Sequence, residues 1–154
     1  MGLKICHHHG FTVSDLDRSV AFYRNVLGLE LVRISERSNI PSYDRMLGHE
    51  NVKLRVAILR HLGDDFILEL VEYVNPKCQK RPLANYFVGS SHLAFEVDDV
   101  DQQYKALREA GFDAIHPPTD IVRDGKCVAR GMYAIDSDGI SIELFQQYED
   151  VVKQ

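Results

Sequence analysis

The segment HHGFTVSDLD at residues 8–17 decides the fold, because the chain contains it twice. Its counterpart, HLAFEVDDVD at residues 92–101, lies 84 positions later and matches it at His, Phe, Val and two Asp. Each copy continues into apolar residues at helical spacing and stops at a glycine, Gly28 or Gly111. The repetition predicts two structural units built on one plan.

A second pair of segments extends the repeat. DDFILEL at residues 64–70 matches DGISIEL at residues 138–144, now 74 positions apart. The smaller offset means that the first copy carries about ten extra residues, which we place in Ser35–Glu50. Because both matches occur in the same order, they indicate two copies of one unit rather than two chance similarities.

Each copy has the pattern of a βαβββ module. The first strand is predicted at Lys4–Val13, and the helix after it has Ser14 or Asp15 as its N-cap. In the second copy the N-cap is Asp98 or Asp99. Ser14 with Asp17, and Asp98 with Asp101, have the spacing of a capping box. The other predicted strands are Leu29–Ile34, Lys53–Leu59, Phe66–Tyr73, Ser91–Val97, Ala114–Ile115, Lys126–Ile135 and Ile140–Phe145.

The predicted fold class is α+β, with two paired βαβββ modules whose curved mixed sheets form a cupped site and whose helices lie outside. Residues 1–154 are expected to form one domain, with module 1 at about residues 4–75 and module 2 at about 90–148. The linker is placed at about residues 76–89, which are rich in Lys, Arg and Pro near their start.

Composition excludes several classes of function. The chain has 154 residues, 45% of them apolar, and no apolar run approaches the ~20 residues of a membrane span. A net charge of −5 argues against nucleic acid as a partner. Three cysteines without a CxxC pair, and an N-terminus without an export signal, favour the reducing cytoplasm. We therefore expect a cytoplasmic protein that acts on a small molecule, without membrane or nucleic acid.

Strand parity places four ligand-type side chains on one surface. Side chains alternate between the faces of a strand, so His8 and Glu69 in the first copy lie opposite the apolar, helix-covered face. The same alternation selects His92 and Glu143 in the second copy. Two neutral imidazoles and two carboxylates carry a charge of −2, which a divalent cation balances. These four residues are the predicted metal ligands.

The ligand set predicts a type of chemistry. An octahedral ion with four protein ligands keeps two positions open for two neighbouring oxygens of a substrate, and stabilises an enediolate formed by proton removal beside a carbonyl. We take Glu143 as ligand and base, Glu69 as ligand and possible partner base, and His8 and His92 as neutral ligands. Ni²⁺, Co²⁺ and Zn²⁺ fit these ligands best, with Fe²⁺ or Mn²⁺ as alternatives.

Three segments resemble the vicinal oxygen chelate superfamily: HHGFTVSDLDRSVAFYRNVLGL at residues 8–29, SHLAFEVDDV at 91–100 and DSDGISIEL at 136–144. That superfamily includes glyoxalase I, methylmalonyl-CoA epimerase, extradiol dioxygenases, fosfomycin-resistance enzymes and bleomycin-binding proteins. The resemblance covers nearly the whole chain and implies one domain of this kind. The family's ligand positions fall on His8, Glu69, His92 and Glu143, a set similar to that of bacterial glyoxalase I and the epimerases.

The resemblance implies a metal-dependent lyase or isomerase of the glyoxalase I type and leaves three alternatives. Thr12 and Tyr73 stand where bacterial glyoxalase I typically has an Arg and an Asn, and the segment from Val52 to Phe87 is more similar to acyl-CoA epimerases. An Fe(II) extradiol dioxygenase is the second alternative. It is less favoured because such oxygenases bind iron through two histidines and one carboxylate, whereas this set has two carboxylates. The third is a non-catalytic antibiotic-binding module, whose members usually lose the ligands.

Several residues near the site carry secondary predictions. His7 and His9 flank His8, and a register shift of one residue would exchange the ligand; the repeat favours His8. In Ser35–Glu50, Glu50 is a candidate second acid or base, and Tyr43, Arg45 and Met46 are candidates for a lid. Lys77, Lys80 and Arg81 are a candidate contact for an anionic substrate tail. Exposed sheet edges in small modules favour a homodimer.

Overall fold

The computed structural model describes residues 2–148, and it confirms the predicted α+β class with two mixed sheets. The chain divides into two compact units after Lys80. Unit 1 contains β1 (His9–Thr12), α1 (Leu16–Asn25), β2 (Glu30–Ser38), α2 (Pro41–Leu47), β3 (Lys53–Arg60) and β4 (Ile67–Asn75). Unit 2 contains β5 (Leu93–Glu96), α3 (Val100–Glu109), β6 (Asp113–Ala114), β7 (Thr119–Arg123), β8 (Lys126–Ile135) and β9 (Ser141–Gln147). No helix within these residues is long and apolar enough to cross a membrane.

Unit 1 is a four-stranded sheet with the order β1-β4-β3-β2, in which β1 runs parallel to β4 and the other pairs are antiparallel. Helix α1 buries Leu16, Val20, Phe22 and Tyr23. The strand residues on the same side of the sheet, among them Leu59, Leu68 and Leu70, are fully buried. The apolar stripe of the helix thus covers one sheet face, and the opposite face is left for polar side chains.

Unit 2 repeats this order as β5-β9-β8-β6, again with a parallel first pair. Strand β8 pairs with β6 near its C-terminal end and with β7 near its N-terminal end. Strands β6 and β7 together therefore occupy the place that β2 alone has in unit 1. Pro117 and Pro118 lie between them, and proline has no backbone N–H with which to continue a ladder.

Strand β7 is absent from the prediction, which placed only Ala114–Ile115 before β8. The signal for it is the dipeptide Asp124-Gly125, since Asp-Gly is a preferred two-residue hairpin turn. Both residues have the positive φ of such a turn, 49° and 78°, and Arg123 pairs with Lys126 across it. The prediction was wrong here because Thr119–Arg123 is exposed throughout and lacks an alternating apolar pattern.

The structure identifies the N-cap residue of each main helix and contradicts the predicted capping boxes. Asp15 and Asp99 are the N-caps, and their carboxylates accept from Arg18 N (3.0 Å) and Gln102 N (2.9 Å). The capping boxes are wrong, because each helix begins one residue later than such a box requires. Asp17 and Asp101 instead pair with arginines of the neighbouring strands at 3.0 Å and 2.9 Å.

The segment Ser35–Glu50 is more ordered than a simple insertion loop. Strand β2 continues through it to Ser38, well beyond the predicted end at Ile34, and α2 follows with a proline in its first turn and Gly48 at φ 69° as its C-cap. Tyr43 and Leu47 of this helix pack on a cluster formed by Val52, Leu54 and Val56. The side chain of Asp44 accepts from Val52 N at 2.9 Å, which joins α2 to the start of β3.

Candidate metal centre

His8 and Glu69 lie together in unit 1. His8 directly precedes β1, and Glu69 is the third residue of β4, where it pairs with Gly10. Gly10 and His8 are two residues apart and therefore point to the same side of the chain. The distance from His8 Nε2 to Glu69 Oε2 is 3.4 Å, and the side chains are 40% and 30% exposed. The pair is thus partly open to solvent.

His92 and Glu143 form the same arrangement in unit 2. His92 directly precedes β5, and Glu143 lies in β9 opposite Ala94. His92 Nε2 is 3.2 Å from Glu143 Oε2, and the side chains are 43% and 26% exposed. The two units therefore build a matched His–Glu pair from the same strand positions.

The donor atoms of each pair fit a divalent metal ion. Imidazole nitrogen and carboxylate oxygen bind such ions at about 2.0–2.2 Å, so two neighbouring ligands of one octahedral or tetrahedral ion lie roughly 2.8–3.6 Å apart. The observed separations of 3.4 Å and 3.2 Å fall in this range. Within residues 2–148, however, no group of three or more His, Cys, Asp or Glu is placed to hold a metal ion. Among the described residues, each unit therefore offers a pair of ligand-type side chains.

Tyr133 adds a hydrogen bond to the pair of unit 2 that sequence reasoning missed. Its hydroxyl donates to Glu143 Oε2 at 3.2 Å, and its ring meets the His92 ring edge-on with centroids 5.4 Å apart. Burial and the neighbouring Glu143 raise the pKa of Tyr133, so its hydroxyl stays protonated as a donor. The sequence carries no signal for this contact, because it depends on the β8–β9 register that sets Tyr133 opposite Glu143.

The residues next to His8 do not share its contact with Glu69. His9 turns to the apolar side, where its ring contacts Phe11 with centroids 4.6 Å apart, and burial lowers the pKa of His9. His7 Nδ1 lies 2.8 Å from His8 Nδ1 and can hydrogen-bond to it. Cys6 is exposed. Among these neighbours, His8 is the residue that lies beside Glu69.

Glu50, the lid candidates of α2 and the basic residue Arg81 lie at separate places in the fold. Glu50 is exposed, and its backbone carbonyl accepts from Asn75 Nδ2 at 3.3 Å. In α2, Tyr43 packs on the apolar cluster whereas Met46 is exposed. Arg81 lines a small cavity of about 210 Å³ with Pro82, Phe87, Val88 and Ser90, outside the pairs. None of these observations assigns a role in chemistry to these residues.

Helix α2 nevertheless borders the Glu69 surface. In the β3–β4 register, Ile58 lies opposite Glu69 and Val56 opposite Val71. Since alternate residues share a face, the cluster on which Tyr43 and Leu47 pack lies on the same face as Glu69. The extra residues of unit 1 thus cover part of the surface that carries its His–Glu pair.

These features define a class of protein: two βαβββ-type units in tandem, each with one His–Glu pair on the sheet face opposite its main helix. The chain belongs to the Glyoxalase/Bleomycin resistance protein/Dioxygenase superfamily, whose family model matches residues 5–144. This is the family that the sequence segments resemble, and its members include enzymes with different reactions.

The relatives carry lyase and epimerase names. The chain is 31% identical to the 2-epi-5-epi-valiolone epimerase of an Actinomyces species, over 93% of this chain and 79% of that protein. It is 27% identical to the lactoylglutathione lyase of Haemophilus influenzae, over 90% of each. A solved glyoxalase family protein from Bacillus cereus has the same fold, with a TM-score of 0.84, 97% of each chain covered and 18% identity.

Proposed function

We propose that this protein is a metal-dependent lyase or isomerase of the glyoxalase I type, in which His8, Glu69, His92 and Glu143 are ligands for a divalent ion. The observation that carries the proposal is the matched His–Glu pair of the two units, at 3.4 Å and 3.2 Å. The ion would bind two adjacent substrate oxygens and stabilise the negative charge that develops when a neighbouring C–H bond loses its proton. Ni²⁺, Co²⁺ and Zn²⁺ suit these ligands, and Fe²⁺ or Mn²⁺ are the next candidates.

The side chains have distinct tasks in this proposal. His8 and His92 bind through neutral Nε2 atoms and add no charge. Glu69 and Glu143 neutralise the ion, and both are partly open to solvent, so a substrate proton can reach either carboxylate. Glu143 is our first choice for the group that takes the proton, with Glu69 as its partner. A carboxylate serves as base when it lies within hydrogen-bond reach of the proton.

An epimerase, such as an acyl-CoA epimerase, is the second candidate function. The 31% identity to a protein named an epimerase supports it, as does the absence of the Arg and Asn typical of bacterial glyoxalase I at Thr12 and Tyr73. Epimerisation beside a carbonyl uses the same proton removal, followed by return of a proton to the opposite face. An Fe(II) dioxygenase and a non-catalytic binding module are the two further alternatives.

Metal binding is the first test. We expect purified protein to bind a divalent ion with at least micromolar affinity, and His8→Ala and Glu143→Gln to weaken binding by more than about 100-fold, because even outer-shell partners contribute about 10–100-fold. His49→Ala and Glu36→Gln, which change exposed residues of the same types, are the matched controls and should bind as wild type does. Titration calorimetry with Ni²⁺, Co²⁺ and Zn²⁺ measures the affinities. A wild type that binds no ion would leave the binding module as the better reading.

Solvent deuterium separates the chemical alternatives. Loaded protein is incubated in deuterated water with the hemithioacetal of methylglyoxal and glutathione, and separately with single epimers of an acyl-CoA. Deuterium is expected in one product on the carbon that receives the proton, which is the hydroxyl-bearing carbon of the lactoyl product or the epimerised carbon of the acyl-CoA. The reason is that a carboxylate base exchanges its proton with solvent. Oxygen consumption with a catechol would favour the dioxygenase. Unlabelled products in both reactions would exclude proton transfer on these substrates.

We further propose that the protein works in the cytoplasm as a homodimer on a small-molecule substrate. The β2 and β6 edges of the two sheets support the dimer, because each ends a sheet order without a further strand in the described residues. Light scattering after size-exclusion chromatography measures the mass directly, and a monomer at micromolar concentration would contradict this part of the proposal.

A further inference from the structure

One tyrosine touches both members of the His–Glu pair in unit 2. The Tyr133 hydroxyl donates to Glu143 Oε2 at 3.2 Å, and the same oxygen lies 3.2 Å from His92 Nε2. The Tyr133 ring stands edge-on to the His92 ring at 82°. Hydroxyl and ring therefore act on the two residues from one side chain, which is itself half-buried in β8.

In unit 1 a residue without a polar side chain occupies the position that corresponds to Tyr133. The residue opposite Glu69 in the β3–β4 register is Ile58, just as Tyr133 is opposite Glu143 in the β8–β9 register. Isoleucine has no polar atom in its side chain and cannot donate to Glu69. The two pairs match in their His and Glu residues but differ at this one position.

We propose that Tyr133 is a positioning residue that holds the Glu143 carboxylate with Oε2 turned to His92, so that the second pair is preorganised for the metal ion. The inference rests on the proposed function, because it concerns the same metal ligands. A glutamate side chain has a broad terminal torsion and loses rotamer freedom when it binds an ion. A hydrogen bond that already selects one orientation removes part of that loss, which is how outer-shell partners raise metal affinity.

The contact also has a direct electronic consequence. A carboxylate oxygen carries two lone pairs, so Oε2 can accept from Tyr133 and still have one lone pair for the ion. The hydrogen bond and the metal bond are therefore compatible, and the phenol does not compete for the ligand site. One lone pair of Glu143 Oε2 accepts the hydrogen bond from Tyr133, and the other is available to the ion.

The experiment is a double-mutant cycle on metal affinity. Ni²⁺ and Zn²⁺ are titrated calorimetrically into metal-free wild type, Tyr133→Phe, Glu143→Gln and the double variant. We expect Tyr133→Phe to weaken binding about 10–100-fold, the range for outer-shell partners. In the Glu143→Gln background the same substitution should have much less effect, because its acceptor carboxylate is gone. Tyr73→Phe is the matched control, since Tyr73 is a partly buried tyrosine on the Glu69 face of unit 1.

A second substitution guards against an effect on folding. Tyr133→Ile copies the residue of unit 1 and should weaken metal binding at least as much as Tyr133→Phe. The melting temperatures of the metal-free variants report whether the fold is kept. Wild-type affinity in either Tyr133 variant would overturn the inference, as would an equal loss in the presence and absence of Glu143. A wild type without metal binding would instead overturn the proposed function, and the inference with it.

Discussion

The adjacent histidines at residues 7–9 differ in their contacts, because neighbouring side chains point to different sides of the chain. His8 and His9 point to opposite sides of the chain, as neighbours in an extended segment do. His9 joins Phe11 on the apolar side, where burial lowers its pKa, and His8 reaches Glu69 on the other side. The choice of His8 from the repeat agrees with this geometry, whereas the identity of the residue types alone leaves all three histidines open.

The N-cap residue Asp99 is expected to contribute to the stability of the fold. Asp99→Ala removes the carboxylate that accepts from Gln102 N, so we expect a loss of about 0.5–2 kcal/mol in the free energy of unfolding, the usual range for an N-cap. Urea denaturation followed by circular dichroism measures it. Asp98→Ala is the control, because Asp98 is exposed and lies one residue before the cap. Equal losses in both variants would restore the capping-box interpretation.

At the scale of elements, each unit joins its main helix to its sheet through one arginine. In unit 1, Arg55 of β3 binds Asp17 of α1 at 3.0 Å and Glu72 of β4 at 2.9 Å. In unit 2, Arg130 of β8 binds Asp101 of α3 at 2.9 Å and Asp120 of β7 at 2.6 Å. The arginine and the helix aspartate are repeat-related, but the second acid comes from a different strand. The repeat therefore extends to the ion pairs that place the helices.

The first backbone amide of each main helix donates a hydrogen bond to a side chain of the last strand of its unit. Leu16 N donates to Glu72 Oε2 at 3.2 Å, and Val100 N donates to Gln146 Oε1 at 3.4 Å. Glu72 lies in β4 and Gln146 at the matching place in β9. The last strand of each unit thus satisfies an amide that has no partner inside its helix.

The arginine network of unit 2 predicts a dependence of stability on acid. Hydrogen bonds from Arg130 lower the pKa of Asp101 below its ordinary value of 3.8. A carboxyl group with a lowered pKa stabilises the fold above that ordinary value, and its contribution is lost as the pH falls through the lowered pKa. We expect Asp101→Asn to unfold at a lower urea concentration than wild type near neutral pH, and the difference to vanish well below pH 3.8. Denaturation curves over this pH range measure it, and a difference that persists in acid would contradict the assignment.

At the scale of the whole molecule, metal ligands are proposed in both compact units. Each unit holds its pair on the sheet face opposite the main helix, and each pair alone offers two ligands. A structural or catalytic ion in proteins usually has at least three protein ligands. The number of bound ions per chain therefore shows whether each pair binds an ion of its own.

We expect one divalent ion per chain. His8→Ala in unit 1 and His92→Ala in unit 2 should each weaken metal binding, because each substitution removes one of the four proposed ligands. Metal analysis after equilibrium dialysis gives the ratio of ion to chain, and calorimetry gives the affinities of the two variants. Two ions per chain, with each variant losing one of them, would show that the pairs work independently.

The sequence by itself determined the repeat, the α+β class, the order of the main strands and the sheet face that carries His8, Glu69, His92 and Glu143. These features follow from periodicity along the chain, which burial of an apolar face imposes on every strand and helix. Strand β7 and helix α2 were missed because exposed or short segments carry little of that periodicity. Only the tertiary structure decided that Tyr133 contacts Glu143 and that Arg130 joins α3 to β7. Such contacts depend on the register between strands, and a shift of one residue would bring a different side chain opposite Glu143.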